Sequence, residues 1–128
     1  MTPATVLRKP KLHFDTSANP SHVTFDDGKE LKRNIPWLHY VEARWQYAEP
    51  DCIGIEIGEW VVVMHGYNLG PLFLAIEDRT LARVRAQPDL GQDREREADT
   101  FVTEMRFGKQ KGKQTGKAGA PQPDLLLP

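Results

Sequence analysis

One cysteine in 128 residues leaves no disulfide within the chain and no paired-cysteine zinc site. The histidines, His13, His22, His39 and His65, never recur at i, i+3 or i, i+4, and no Cys-x-x-Cys or His-x-x-x-His spacing occurs. Neither a metal nor a cofactor is therefore expected. No apolar run reaches the roughly 18 residues that a membrane helix needs, so no membrane partner is expected. Arg8, Lys9 and Lys11 are not followed by an apolar stretch, and the first residues are not expected to act as a secretory signal. A reducing, cytoplasmic setting is the simplest reading of these absences. Internal repeats are lacking too, as is a glycine-rich phosphate loop after a strand, because Gly54 and Gly58 fall within a hairpin pattern.

What is present is unevenly charged. Residues 1–20 carry three basic side chains and one acidic one, residues 21–107 ten basic and sixteen acidic, and residues 108–128 four lysines and Asp124. An acidic middle with basic ends argues against the folded surface as a nucleic-acid platform, since phosphate binding needs a cationic face. Any such contact is expected only through the tail, Lys109, Lys111, Lys113 and Lys117. Pro3, Pro10 and Pro20 punctuate the first segment, and Lys, Gly and Gln dominate the last before an apolar tip, Leu125–Leu127. These compositions predict a flexible segment over 1–20, one domain over 21–107 and a disordered basic tail over 108–128.

Within the middle, His22–Phe25 alternates and Asp26-Asp27-Gly28 follows, a hairpin signal because glycine accepts the positive φ of a tight turn. Lys29–Ile35 alternates again and Pro36 ends it. A short turn at Trp37–His39 leads to a strand over Tyr40–Tyr47. Cys52–Ile57 and Trp60–His65 read as a central hairpin turning at Gly58-Glu59, with Val61–Met64 continuous enough to suggest burial on both faces. Leu69, Leu72, Phe73 and Ile76 then recur at helical spacing, predicting a helix over Leu69–Arg79 capped by Asn68, with Pro71 in its first turn. Leu81–Gln87 and Phe101–Phe107 read as strands on either side of a charged stretch, Asp89–Asp99, and Lys11–Asp15 is a weaker edge-strand candidate. The expected class is α+β: a single domain with a mainly antiparallel sheet of about five to six strands and one short helix packed on it.

From His22 to Gln87 the order of signals resembles a small bacterial domain family with no assigned activity. The features that carry it are Val23-Thr24-Phe25-Asp26-Asp27-Gly28, Pro36 before an aromatic-rich strand, and Gly66-Tyr67-Asn68-Leu69 leading into Pro71-Leu72. The resemblance implies the same fold class and supplies no catalytic residue.

His65, Gly66, Tyr67 and Asn68 stand between the most apolar strand and the helix start, where free N–H groups and the helix dipole favour an anion. They form a candidate ligand site, against the plainer reading of a sharp turn, a cap and a strand end. Trp37, Tyr40, Trp45 and Tyr47 offer aromatic area suited to an interface or to stacking. Phe101, Met105 and Phe107 add an apolar face on the last strand, which can join its own sheet or a partner's. Aromatics are also ordinary strand and core residues. Cys52 reads as a small buried hydrophobe, not a nucleophile, since no base accompanies it. The sequence thus points to a non-catalytic module that binds a protein partner or a second copy of itself. The alternative is a nucleic-acid-associated accessory protein using the lysine tail and exposed aromatics.

Overall fold

The alternating segments become eight strands in two four-stranded sheets in the computed structural model, which describes residues 9–110. The first sheet contains β1 (Phe14–Thr16), β2 (His22–Asp26), β3 (Lys32–Pro36) and β7 (Leu81–Arg85) in the order β1-β7-β2-β3. The second contains β4 (Tyr40–Arg44), β5 (Cys52–Ile57), β6 (Trp60–Tyr67) and β8 (Phe101–Lys109) in the order β4-β5-β6-β8. One helix, α1 (Gly70–Glu77), connects β6 to β7. The class is α+β as expected, with more strands than five or six.

The hairpins form where local turn chemistry places them. β2 and β3 pair antiparallel from His22↔Pro36 to Asp26↔Lys32, leaving residues 27–31 as the loop. That loop is longer than a two-residue turn because Asp27 organises it: its Oδ1 accepts the backbone N–H groups of Lys29, Glu30 and Leu31 at 2.8, 3.0 and 3.1 Å. These three bonds favour the charged carboxylate and hold the Asp27 carboxyl below its ordinary range. Gly28, at φ +76°, lies so close to the backbone just after β7 that a Cβ would sit 2.5 Å from the Ala86 carbonyl oxygen. β5 and β6 pair through Ile57↔Trp60 around Gly58-Glu59.

The parallel pair is the departure from a simple antiparallel sheet. After α1 the chain returns as β7 and inserts between β1 and β2, antiparallel to the first and parallel to the second. β1 lies in the segment expected to be flexible, and partners far along the chain hold it there. His13 N–H donates to the Thr100 carbonyl at 2.9 Å, Thr100 N–H to the Lys11 carbonyl at 2.9 Å, and Ser17 N–H to the Thr80 carbonyl at 2.8 Å. Asp99, fully buried, accepts from the Lys11 N–H at 2.9 Å and lies 3.0 Å from His13 Nε2. The last strand extends to Lys109 and pairs with β6 in its own sheet. Residues 111–128, and with them the Leu125–Leu127 tip, lie outside the described residues.

A single core joins the layers: Val23, Phe25 and Ile35 from the first sheet, Ile53, Ile55, Ile57, Val62 and Met64 from the second, and Leu69, Leu72 and Ile76 from the helix region. Only alternate residues of β6 are fully buried, Val62, Met64 and Gly66, while Val61 and Val63 are half-buried. The continuous valine run is therefore not buried on both faces. Trp37 is also in the core, where its Nε1–H donates to the Leu81 carbonyl at 2.9 Å. Arg33 stands on the inward face of β3 with its guanidinium 3.5 Å from the Trp60 ring centroid, a cation–π contact that ties β3 to the second sheet.

Candidate functional site

Burial decides which of the predicted residues can meet another molecule. His65 and Tyr67 are exposed, on the outward face of β6, and His65 stands opposite Glu104 of β8. Gly66 is buried and is not a turn residue: it lies within β6 beside a register irregularity, where a Cβ would collide with the Phe101 carbonyl oxygen and lie 2.8 Å from Val102 Cα. Glycine is required there for close approach of two strands. Asn68 does not cap the helix. The cap position is Leu69, which has no side-chain bond, and Asn68 adopts φ +53° with its Nδ2 donating to the Glu97 and Asp99 carbonyls at 2.9 and 2.8 Å. Thr100 Oγ1 in turn donates to the Asn68 carbonyl at 2.6 Å. Asn68 is a clamp between the β6–α1 connection and the segment entering β8, and the four residues do not form one anion cradle.

The aromatic residues likewise separate. Trp37, Phe101 and Met105 are buried, and Phe107 is partly buried against the core. They are not a surface, because the alternation that put Met105 on an apolar face points that face into the protein. Tyr40 packs edge-on against Trp37 at 5.3 Å, with its hydroxyl pKa raised by burial. Trp45 stacks on Phe73 of the helix at 5.4 Å, and its Nε1–H donates to the Pro50 carbonyl. Tyr47 is fully exposed. Around β4, an edge strand with the helix packed beside it, further apolar side chains face outward: Leu38 at 88% exposure, Leu74 at 55% and Val41 at 49%. This margin carries Tyr47 and Trp45 from the predicted surface and adds Leu38, Val41 and Leu74. Leu74 follows from the helical period, since it falls opposite Leu72 and Ile76.

A second feature was not apparent from the linear sequence. Val23 and Phe25 of β2, Ile35 of β3 and Val84 of β7 point inward, so the alternate residues point out. The register then lines up Asp15, Arg83, Thr24 and Asn34 across the four strands, and Arg85, Asp26 and Lys32 across three. Of these, Asp15, Asp26, Lys32, Arg83 and Arg85 line an open cleft of about 660 Å³, together with residues 28–31 of the loop, Leu12–Phe14 and Gln87. Lys29, Lys32, Arg83 and Arg85 all line it. Asp26 is largely buried at its floor, accepting the Gly28 N–H at 2.8 Å with Arg85 Nε 3.8 Å away.

Cys52 is partly buried; desolvation first, and then the charge of Glu49, raise its thiol pKa, which disfavours the nucleophilic thiolate. Among the described residues no group of three or more His, Cys, Asp and Glu side chains is placed to hold a metal, and no helix is long and apolar enough to cross a membrane. Of the tail lysines only Lys109 is described; it pairs with Glu59 at 3.3 Å and lies 5.3 Å from the Trp60 ring centroid. No protein-family model, curated protein or solved structure matches the chain.

Proposed function

We propose that this protein is a non-catalytic interaction module of the cytoplasm that uses the β4 margin to bind protein, and that its first partner is a second copy of itself. The observation that carries this reading is the outward display of Leu38, Val41, Tyr47 and Leu74 around an edge strand and its neighbouring helix. Large apolar side chains left exposed along an edge strand and the helix beside it suit a contact surface, because their exposure to water is unfavourable until covered. The margin suits side-chain packing more than strand addition. β4 is irregular in register between Tyr40 and Glu42, and Arg44 is held by Glu42 and Glu56 at 2.6 and 3.0 Å, both of which blunt backbone pairing at an edge. An apolar patch that meets itself across a two-fold axis needs no complementary charge, and a net charge of −1 opposes the approach of two copies only weakly. The nucleic-acid reading is the weaker one, because Lys109 is already engaged by Glu59.

Sedimentation velocity of the full chain at micromolar concentration tests the proposal. The expected result is a species of twice the 14.5 kDa chain mass, which the double variant Val41→Asp, Tyr47→Ser converts to a folded monomer. A monodisperse 14.5 kDa parent protein overturns self-association.

A further inference from the structure

We infer that the cleft on the outer face of the first sheet is a binding site for a small ligand bearing two linked phosphates. The inference is independent of the β4 margin. Its starting point is electrostatic. Arg83 and Arg85 project from one face of β7 two residues apart, Lys32 comes from β3 and Lys29 from the loop, and all four line the same 660 Å³ space. Among the described residues Arg83, Lys29 and Lys32 form no ion pair within 4 Å, and Arg85 reaches Asp26 only at 3.8 Å. Four cations against the three carboxylates of the lining, Asp15, Asp26 and Glu30, leave the cleft with a small excess of positive charge, which an anion would offset.

Asp15 is the direct cross-strand neighbour of Arg83, yet the two are not paired, and Asp26 accepts the Gly28 N–H. The Arg83 guanidinium is thus left available and that of Arg85 is held only by the 3.8 Å contact with Asp26, and a guanidinium presents a planar fork of donors that fits phosphate oxygens. Residues i and i+2 on a strand stand about 6.6 Å apart along the chain, from a rise of about 3.3 Å per residue. That separation suits a group with two charged centres better than a single carboxylate. The volume lies inside the range of roughly 300–1,000 Å³ found for small-molecule sites.

The same lining favours a small ligand over a nucleic-acid strand. Asp15 on β1 and Glu30 in the loop place carboxylates on two separate walls of the cleft. A phosphate backbone continuing past either wall meets repulsion, and the surrounding domain carries more acidic than basic side chains. Phe14, also in the lining, offers the ligand's organic portion a partly apolar contact.

Inorganic pyrophosphate is the probe, titrated into the full chain and followed by amide chemical shifts. The expected result is saturable change at residues 29–32 and 83–85, weakened by added salt. Arg83→Gln with Arg85→Gln should weaken binding at least tenfold, Glu30→Gln should tighten it, and Lys109→Gln should leave it unchanged. Lys29→Gln with Lys32→Gln provides a second loss if the arginine pair compromises folding. Absence of saturable shifts overturns the site, as does equal binding by a folded Arg83→Gln, Arg85→Gln variant, or shifts confined to other residues. A single-stranded oligonucleotide that displaces pyrophosphate and binds more tightly overturns the small-ligand assignment in favour of nucleic acid.

Discussion

Gly66 and Asn68 show how much one position depends on partners far away in sequence. At Gly66 the obstacle to a side chain is backbone of β8, which cannot swing aside as a flexible side chain can. Gly66→Ala should therefore cost about 1–3 kcal/mol in urea unfolding, the range for overpacking. Gly54→Ala, where nothing lies within 4 Å of the added Cβ, should stay within about 0.5 kcal/mol of the parent. Equal midpoints for the two variants would mean that β6 and β8 do not approach so closely in solution. Asn68 separates two mechanisms. As a helix cap, Asp would replace it at almost no cost, since both are good caps and both tolerate positive φ. As a donor to two carbonyls it cannot be replaced so, because a carboxylate would face acceptors with no proton to give. Asn68→Asp should lose about 2 kcal/mol or more; a silent Asn68→Asp variant would restore the capping explanation.

At the level of elements, the helix is shorter than its apolar spacing predicts, Gly70–Glu77 instead of Leu69–Arg79, and its stripe is divided. Leu72 and Ile76 are fully buried, whereas Phe73 is partly buried and shares its surface with Trp45. The spacing by itself makes Phe73 the largest anchor. Packing transfers that role to Leu72, so Leu72→Ala should cost about 2–5 kcal/mol and Phe73→Ala less. Thermal or chemical unfolding of the pair checks the order, and a larger loss at Phe73 would show that the helix is rotated about its axis. β8 behaves similarly. Its alternation is legible, but Met105, an apparent interface residue, packs into the protein's own core, and Met105→Asp is expected to unfold the chain rather than split a dimer.

For the molecule as a whole, the decisive element is the shortest. β1 has three residues and little apolar content, and composition alone assigns its neighbourhood to a flexible end. Its place is set by β7, by the backbone bonds to Thr80 and Thr100, and by Asp99 through His13 and Lys11. Removing the chain through Thr16 leaves the buried Asp99 carboxylate without the His13 and Lys11 contacts, a costly loss. The truncated protein should melt roughly 10 °C or more below the parent, on a scale of about 4–8 °C per kcal/mol for a domain of this size. An unchanged melting temperature would show that the first strand is dispensable.

Local chemistry alone specified the α+β class, the two hairpins, the helix and where most strands begin, because a period of two, a helical spacing and a turn at Asp-Asp-Gly or Gly-Glu act within a few residues of chain. The tertiary structure decided the insertion of β7 between β1 and β2, the burial of Trp37 and Met105, and the clamp made by Asn68. It also decided the convergence of Arg83, Arg85, Lys29 and Lys32 on one cleft. Each of these depends on which strand lies beside which. Parallel pairing across some sixty residues leaves no periodic trace in either partner, since the same alternation serves any neighbour.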